Sequence, residues 1–218
     1  MNDDRFARPE IAALATAVDR GDVAAMRREM QAVHPDTPGS DGTTLLIKAI
    51  ADDNLTAVQA LLDGGADPNR AGKGGETPVH AAAFADDPHL LETVLAHGGD
   101  PDAVNPDSGE TALMRAIVGL HPAQVRLLLE AGADPGRADP NGTTALHTAA
   151  SVNAGGVILM LLHAGAPAEA RDAHGDTFQP VYFGIDPDLL NARARQERHD
   201  VIEWLKAHGI PLEAAAES

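Results

Sequence analysis

The sequence predicts an all-α solenoid of about six helix-turn-helix repeats, and three observations support this fold class. Five threonines recur at intervals of 33 or 34 residues, at Thr44, Thr77, Thr111, Thr144 and Thr177. A triplet of aliphatic residues at helical spacing follows each of the first four, and a glycine-rich segment then closes each copy. Such a period indicates one supersecondary unit copied along the chain, with each copy burying its apolar face against a neighbour.

Each threonine is expected to cap the first helix of its repeat. The segments GETALMRA at residues 109–116 and GTTALHTA at residues 142–149 show the shared order of glycine, threonine and apolar residues. A threonine hydroxyl accepts an otherwise unpaired N–H of the first helical turn, and Pro78 suits the first helical position after Thr77. A helix is therefore predicted to begin after each threonine.

The aliphatic triplets predict the second helix of each repeat. They are Val58, Leu61, Leu62; Leu91, Val94, Leu95; Val125, Leu128, Leu129; and Ile158, Leu161, Leu162. Spacing of i, i+3, i+4 places each triplet on one helical stripe, which is expected to be core. The exit that follows, such as GADP at residues 65–68, ends the helix because glycine forms the C-terminal cap and proline prevents continuation.

This pattern resembles the ankyrin repeat, whose unit is a β-turn and two antiparallel helices with a TPLHxA signature. Residues 77–82 (TPVHAA) and 144–149 (TALHTA) match it best, and the resemblance extends over about residues 10 to 211. It implies β-turn fingers between the helix pairs and a concave groove in which another protein docks. It also implies that His80 and His147 hydrogen-bond neighbouring turns.

The predicted domain organisation is one ankyrin-repeat domain over residues 10–212, between tails at residues 1–9 and 213–218. The repeats are expected at residues 10–41, 42–74, 75–108, 109–141, 142–174 and 175–212. The first and last are modified capping repeats, because Glu29 and Lys206 occupy positions that hold leucine elsewhere. The last repeat is about 11 residues longer than the period requires, which predicts an insertion near residues 184–196.

Composition limits the partners and the chemistry. The net charge is −17, and no basic stretch interleaved with aromatics appears, so nucleic acid is not an expected partner. The acidic surface favours a basic protein or an effector enzyme as partner, or simply keeps the chain soluble. The chain has no cysteine, which excludes disulfides and thiolate chemistry. No stretch is long enough to cross a membrane, so we expect a cytoplasmic monomer, or a periplasmic protein if a signal peptide has been removed.

No catalytic residue, metal site or cofactor is predicted. Asp86, Asp87 and His89 form the one catalytic-looking cluster, but they fall in the break between two helices, where capping residues are needed. His97, His163 and His208 fall near helix C-termini, where a partly cationic ring meets the negative end of the helix dipole.

Partner-binding residues follow from the resemblance, by their place in the repeat. The fold is expected to require none of the predicted groove and turn residues. They are Lys48, Asp52, Lys73, Glu76, Phe84, Asp107, Ser108, Glu110, Arg115, Val118, Asn141, Thr148 and Val152. Phe84 is either an exposed anchor or a side chain folded over its own helix pair. A second patch at Arg193, Arg195 and Arg198 is either a solvated helix face or a recognition surface.

The leading functional hypothesis is a non-catalytic protein–protein interaction module. The chain resembles small free-standing bacterial ankyrin proteins, some of which are immunity proteins that bind and occlude a toxic effector enzyme. The alternatives are a regulatory scaffold for a cytoplasmic enzyme or stress response and, more remotely, a hydrolase built on repeats.

Overall fold

The computed structural model describes residues 4–213, and within that range it is all-helical without a β-strand. The α-helices of these residues are α1 (Pro9–Asp19), α2 (Val23–Glu29), α3 (Leu45–Ala51), α4 (Leu55–Asp63), α5 (Pro78–Phe84), α6 (Pro88–Ala96), α7 (Ala112–Val118), α8 (Pro122–Glu130), α9 (Ala145–Ser151), α10 (Gly155–His163), α11 (Gln179–Phe183) and α12 (Ala192–Ala207). Short 3₁₀ helices lie at Asp4–Phe6, Lys73–Gly75 and Pro187–Leu189. The predicted all-α repeat fold is confirmed.

The chain divides into two compact units, Met1–Asp107 and Ser108–Ser218. In the first unit, α1 packs on α2, α3 on α4 and α5 on α6, and α3 also packs on α5. In the second unit, α7 pairs with α8 and α9 with α10, while α9 packs on α7 and α11, and α10 on α12. The proposed tails and repeat boundaries remain a prediction, and residues 214–218 lie outside the described range.

Threonine caps begin most of the first helices. The Oγ1 atoms of Thr44, Thr77 and Thr111 accept backbone N–H groups three residues ahead at 3.2, 3.4 and 3.3 Å. Thr144 forms a reciprocal capping box, in which its own N–H donates to the His147 ring at 3.2 Å. Thr177 differs, because its hydroxyl accepts the N–H of Gln179 and α11 begins one residue late.

The second-helix stripes form the core. Val58, Leu61 and Leu62 of α4 are buried, as are Ile158, Leu161 and Leu162 of α10. In α6 and α8 the first two residues of each triplet are buried, whereas Leu95 and Leu129 are half-buried. The predicted core positions are therefore correct, with a looser third position in the two middle copies.

Side chains of the turns and of a first helix reach the next turn within each unit. In the first unit, Asn69 donates through Nδ2 to the Gly98 carbonyl at 2.9 Å, and Asn105 donates to the Gly74 carbonyl at 2.9 Å. In the second, His147 Nε2 lies 3.1 Å from the carbonyl oxygen of Asp176. These bonds pair backbone groups that no helix or sheet would otherwise satisfy, so they fix the spacing of neighbouring turns.

The last repeat contains a connection and a long helix. Residues 184–191 join α11 to α12, which has 16 residues where α10 has nine. Tyr182 is buried where α10 begins, and burial raises the pKa of its phenol to about 12. A Cβ built on Gly155 would overlap the Tyr182 hydroxyl and lie 2.7 Å from the Glu197 Cβ. Gly155 therefore makes room for the last repeat.

We expect Gly155→Ala to destabilise the protein by about 1 to 3 kcal/mol, because a methyl group there has no space. Gly156→Ala is the matched control. Its Cβ would meet only the end of the Glu197 side chain at 3.3 Å, so the usual gain of up to about 1 kcal/mol for alanine in a helix should dominate. Urea denaturation measures both variants, and equal effects would contradict the close packing at Gly155.

Candidate partner-binding surface

The first helix of each repeat exposes the position seven residues after its capping threonine. At the seventh position, Phe84 of α5 is 46% exposed and Val118 of α7 is 48% exposed. The equivalent residues in α3 and α9 are Ala51 and Ser151, which are also exposed. Phe84 therefore keeps nearly half of its surface in solvent. The first-helix faces carry bulky apolar side chains that the fold does not demand.

The predicted groove residues of the first unit are mostly accessible. Lys73 and Asp107 are exposed, and Glu76 is half-buried. Lys73 Nζ lies 3.9 Å from the Asp41 carboxylate, a long and solvated pair. Hydrogen bonding from the Thr43 backbone N–H, the strongest influence, holds the pKa of Asp41 below its usual value. These side chains are oriented by the turn but remain in water.

In the second unit the predicted residues fall into two groups. Ser108 and Asn141 are exposed on turns, and Arg115 lies 3.7 Å from Glu110 in a half-exposed ion pair. Thr148 and Val152 are half-buried, and the Thr148 hydroxyl donates to the Thr144 carbonyl at 3.2 Å.

Lys48 corrects the expectation that the fold requires none of the groove residues. Its side chain is 8% exposed, and its Nζ donates to Asp19 of α1 at 2.7 Å and also to Asp52. Burial alone would lower the pKa of Lys48, but the hydrogen bonds to Asp19 and Asp52 outweigh it and raise the pKa above its ordinary value. Lys48 and Asp52 thus form an ion-pair cluster that ties α1 to α3.

Arg198 corrects the predicted second patch. It is 8% exposed, its guanidinium donates to the carbonyls of Phe183 and Ile185 at 2.7 Å each, and it lies 5.3 Å from the centre of the Phe183 ring. These bonds hold the connection between α11 and α12 against the helix. Arg193 and Arg195 do remain exposed on α12.

The catalytic-looking cluster is a helix cap. Asp87 accepts the backbone N–H of His89 at 3.0 Å and contacts its ring nitrogen at 2.7 Å. The hydrogen bond from the His89 N–H lowers the pKa of Asp87, and the hydrogen bond to Asp87 raises the pKa of His89. Both side chains sit in solvent at the start of α6, and no group of three metal-ligating side chains occurs among residues 4–213.

The three histidines that were expected near helix C-termini lie there in the structure. The Nδ1 atoms of His97, His163 and His208 donate to carbonyls four residues earlier at 2.8, 2.7 and 2.8 Å. The carbonyls of Thr93 and Trp204 also accept the backbone N–H of the same histidine, so the ring adds a second hydrogen bond to a carbonyl of the last helical turn.

Three exposed apolar residues of the second unit were absent from the predicted set: Leu120, Val181 and Leu189. Val181 follows Thr177 by four residues, the position that Arg115 and Thr148 hold in their repeats, so the repeat alignment could have identified it. Leu120 lies between α7 and α8, outside the first-helix positions on which the prediction was built.

Repeated helix pairs with exposed first helices define a solenoid of the protein-interaction class. A sequence model described as ankyrin repeats in three copies matches residues 14–105 and 80–172, and the chain belongs to the ankyrin-repeat family. It is thus a protein–protein interaction module, a class that is generally non-enzymatic. Within residues 4–213, none of the helices combines the length and apolar character that crossing a bilayer requires.

Two curated relatives are similar over part of their length. Protein PhlB of Serratia liquefaciens is 40% identical over 141 residues, 65% of this chain and 62% of PhlB. Ankyrin repeat and SOCS box protein 16 of Homo sapiens is 37% identical over 146 residues, 63% of this chain and 32% of that protein. The alignments span less than two thirds of these relatives.

Two solved structures share the fold. The ankyrin repeat domain of Bcl-3, described as a unique member of the IkappaB protein family, matches with a TM-score of 0.76 and 25% identity over 90% of this chain and 85% of that domain. The ankyrin repeat protein EF0377 matches with a TM-score of 0.73 and 24% identity over 88% of this chain and 96% of EF0377, a likeness of fold alone.

We expect Lys48→Met to destabilise the protein by about 1 kcal/mol at neutral pH, since Asp19 and Asp52 lose their partner but remain partly in water. The raised pKa of Lys48 means that its contribution is complete below the unfolded value of about 10.4 and is lost as pH rises through the folded value. The difference from wild type should therefore shrink at about pH 11. Urea denaturation at both pH values tests this.

Lys206→Met serves as the control, because Lys206 is exposed and its ion pair among residues 4–213 is with Glu203 on its own helix. It should change stability by less than about 0.5 kcal/mol. A Lys48→Met variant as stable as this control would show that the cluster contributes nothing.

Proposed function

We propose that the protein binds another protein through its first-helix faces and turns, and that binding occludes a toxic effector enzyme, as an immunity protein does. The observation that carries the proposal is the exposure of Phe84, at 46%, in a position that alanine and serine fill in other repeats. A large aromatic side chain held in water by a short rigid helix is suited to anchoring an interface. Val118 and Val181 extend the same property to the second unit.

Charge supports a basic partner. With a net charge of −17, the chain would attract a positively charged surface from a distance and speed the encounter. Enzymes that act on anionic substrates have basic clefts, so an acidic module with apolar anchors is suited to covering one. Inhibition by coverage requires no chemistry from this chain, in keeping with the use of Asp87 and His89 as a helix cap.

The main alternative is a regulatory scaffold, which would bind its partner and leave the partner's activity intact. A hydrolase built on the repeats is the remoter alternative and would show turnover in isolation. Purification with the product of the adjacent gene, followed by an activity assay of that product bound and free, separates these roles. If the partner kept its full activity when bound, the protein would act as a tethering scaffold and not as an inhibitor.

We expect Phe84→Glu to weaken partner affinity by roughly 30-fold or more, the effect of losing a hot-spot residue. Phe84 is 46% exposed, so the free energy of unfolding should fall by no more than about 1 kcal/mol. Calorimetric titration with the partner and thermal denaturation of the free variant provide the two measurements.

Gln59→Glu is the matched control, because Gln59 is exposed on the second helix α4 and the substitution also adds a negative charge. It should leave affinity within about twofold of wild type. If Phe84→Glu bound as tightly as this control, the binding site would not lie on the first-helix face that carries Phe84.

A further inference from the structure

A cleft of about 500 Å³ opens on the second unit, away from the first-helix positions used above. Its walls come from the connection between α7 and α8, the start of α10 and the start of α12. The residues that shape it are Leu120, Pro122, Arg126, Met160, Arg193 and Glu197. Arg193 and Glu197 belong to the first turns of the long last helix, so the extended last repeat forms one wall.

Leu120 at the mouth of the cleft is not explained by the fold. It is 64% exposed and has a φ of +59°, in the left-handed region. The equivalent residues of two other repeats, Asp53 and Asn153, have φ values of +51° and +53°. Asparagine and aspartate tolerate this region, whereas leucine is strained there. The chain thus holds a strained, exposed apolar side chain where a polar residue would serve the fold better.

The cleft is cationic although the protein is acidic. Arg126 is exposed and makes no ion pair with the part of the chain that the structure describes. Arg193 Nε donates to Glu197 Oε1 at 2.7 Å, so the carboxylate on this wall is already neutralised. His121 also lines the cleft. An anionic group entering the cleft would therefore meet the Arg126 guanidinium, while the Glu197 carboxylate is paired with Arg193.

A second depression of about 390 Å³ shares Arg126 and Met160 with the cleft and is also lined by Leu129, Glu130 and His163. The two cavities therefore adjoin. Glu130 gives the second depression a negative charge. A bound segment would therefore place its acidic group near Arg126 and away from Glu130.

We infer that this cleft docks a partner segment that presents an apolar side chain to Leu120 and Met160 and a carboxylate to Arg126. The surface is distinct from the first-helix faces, so it does not depend on the proposed inhibition of an effector enzyme.

Short synthetic peptides of matched length test the inference on the full chain. The probes are acetyl-Glu-Leu-Leu-Glu-amide, the same peptide with lysine in place of glutamate, and the same peptide with serine in place of leucine. The readout is the ¹³C-methyl NMR signal of Met160, which lies in the wall of the cleft. We expect the acidic leucine peptide to shift this signal saturably, and the lysine and serine peptides to bind at least fivefold more weakly.

Variants locate the binding. Arg126→Gln should weaken the acidic leucine peptide about fivefold, whereas Arg195→Gln, an exposed substitution outside the cleft walls, should not. Leu120→Asn should weaken the peptide while raising the melting temperature by roughly 2 °C, because asparagine relieves the left-handed strain. Weaker peptide binding together with a higher melting temperature would identify Leu120 as a recognition residue, because the loss of a structural residue would lower the melting temperature.

Three outcomes would overturn the inference. They are no shift of the Met160 signal with the acidic leucine peptide, equal binding of the lysine peptide, and unchanged binding by both Arg126→Gln and Leu120→Asn. A concentration-dependent shift of Met160 without peptide, with dimers in sedimentation, would assign the cleft to a second copy of the chain instead.

Discussion

Burial of one aliphatic stripe per repeat is the constraint on which the structure depends. A second helix of nine residues is too short to be stable alone in water, so it exists because its stripe packs against the paired first helix and the neighbouring repeat. The first helices α3, α5, α7 and α9 have only seven residues and begin at a threonine cap, which fixes where each starts. Once the stripe and the cap are set, the outward positions are free to vary.

Lys48 and Arg198 show how a charged side chain can belong to the scaffold. Lys48 is surrounded by two carboxylates from α1 and α3, and Arg198 by two backbone carbonyls and the face of Phe183. Each buried cation is compensated by hydrogen bonds, which is the condition for burying charge without a large loss of stability. Charge in a repeat position is therefore not by itself a sign of a binding surface.

The fold was predictable because its signals are local and repeated. The threonine period, the leucine stripes and the glycine exits each act within about ten residues and recur four or five times. The candidate site was predictable only where a residue's place in the repeat decides its exposure, as for Phe84 and Val118. The burial of Lys48 depends on Asp19, 29 residues away, and the cleft beside Leu120 depends on α12, so spacing within one repeat could not reveal them.

The fit between Gly155 and Tyr182 bears on how the second unit comes apart. Terminal repeats have one neighbour instead of two and would be expected to fray first. Here a tyrosine hydroxyl fills the space beside a glycine, and Arg198 fastens the connection onto the final helix. These contacts hold the C-terminal end of this unit in place. Local unfolding should therefore start in the exposed turns, and the amide protons of α10 should be among the slowest of the unit to exchange with solvent.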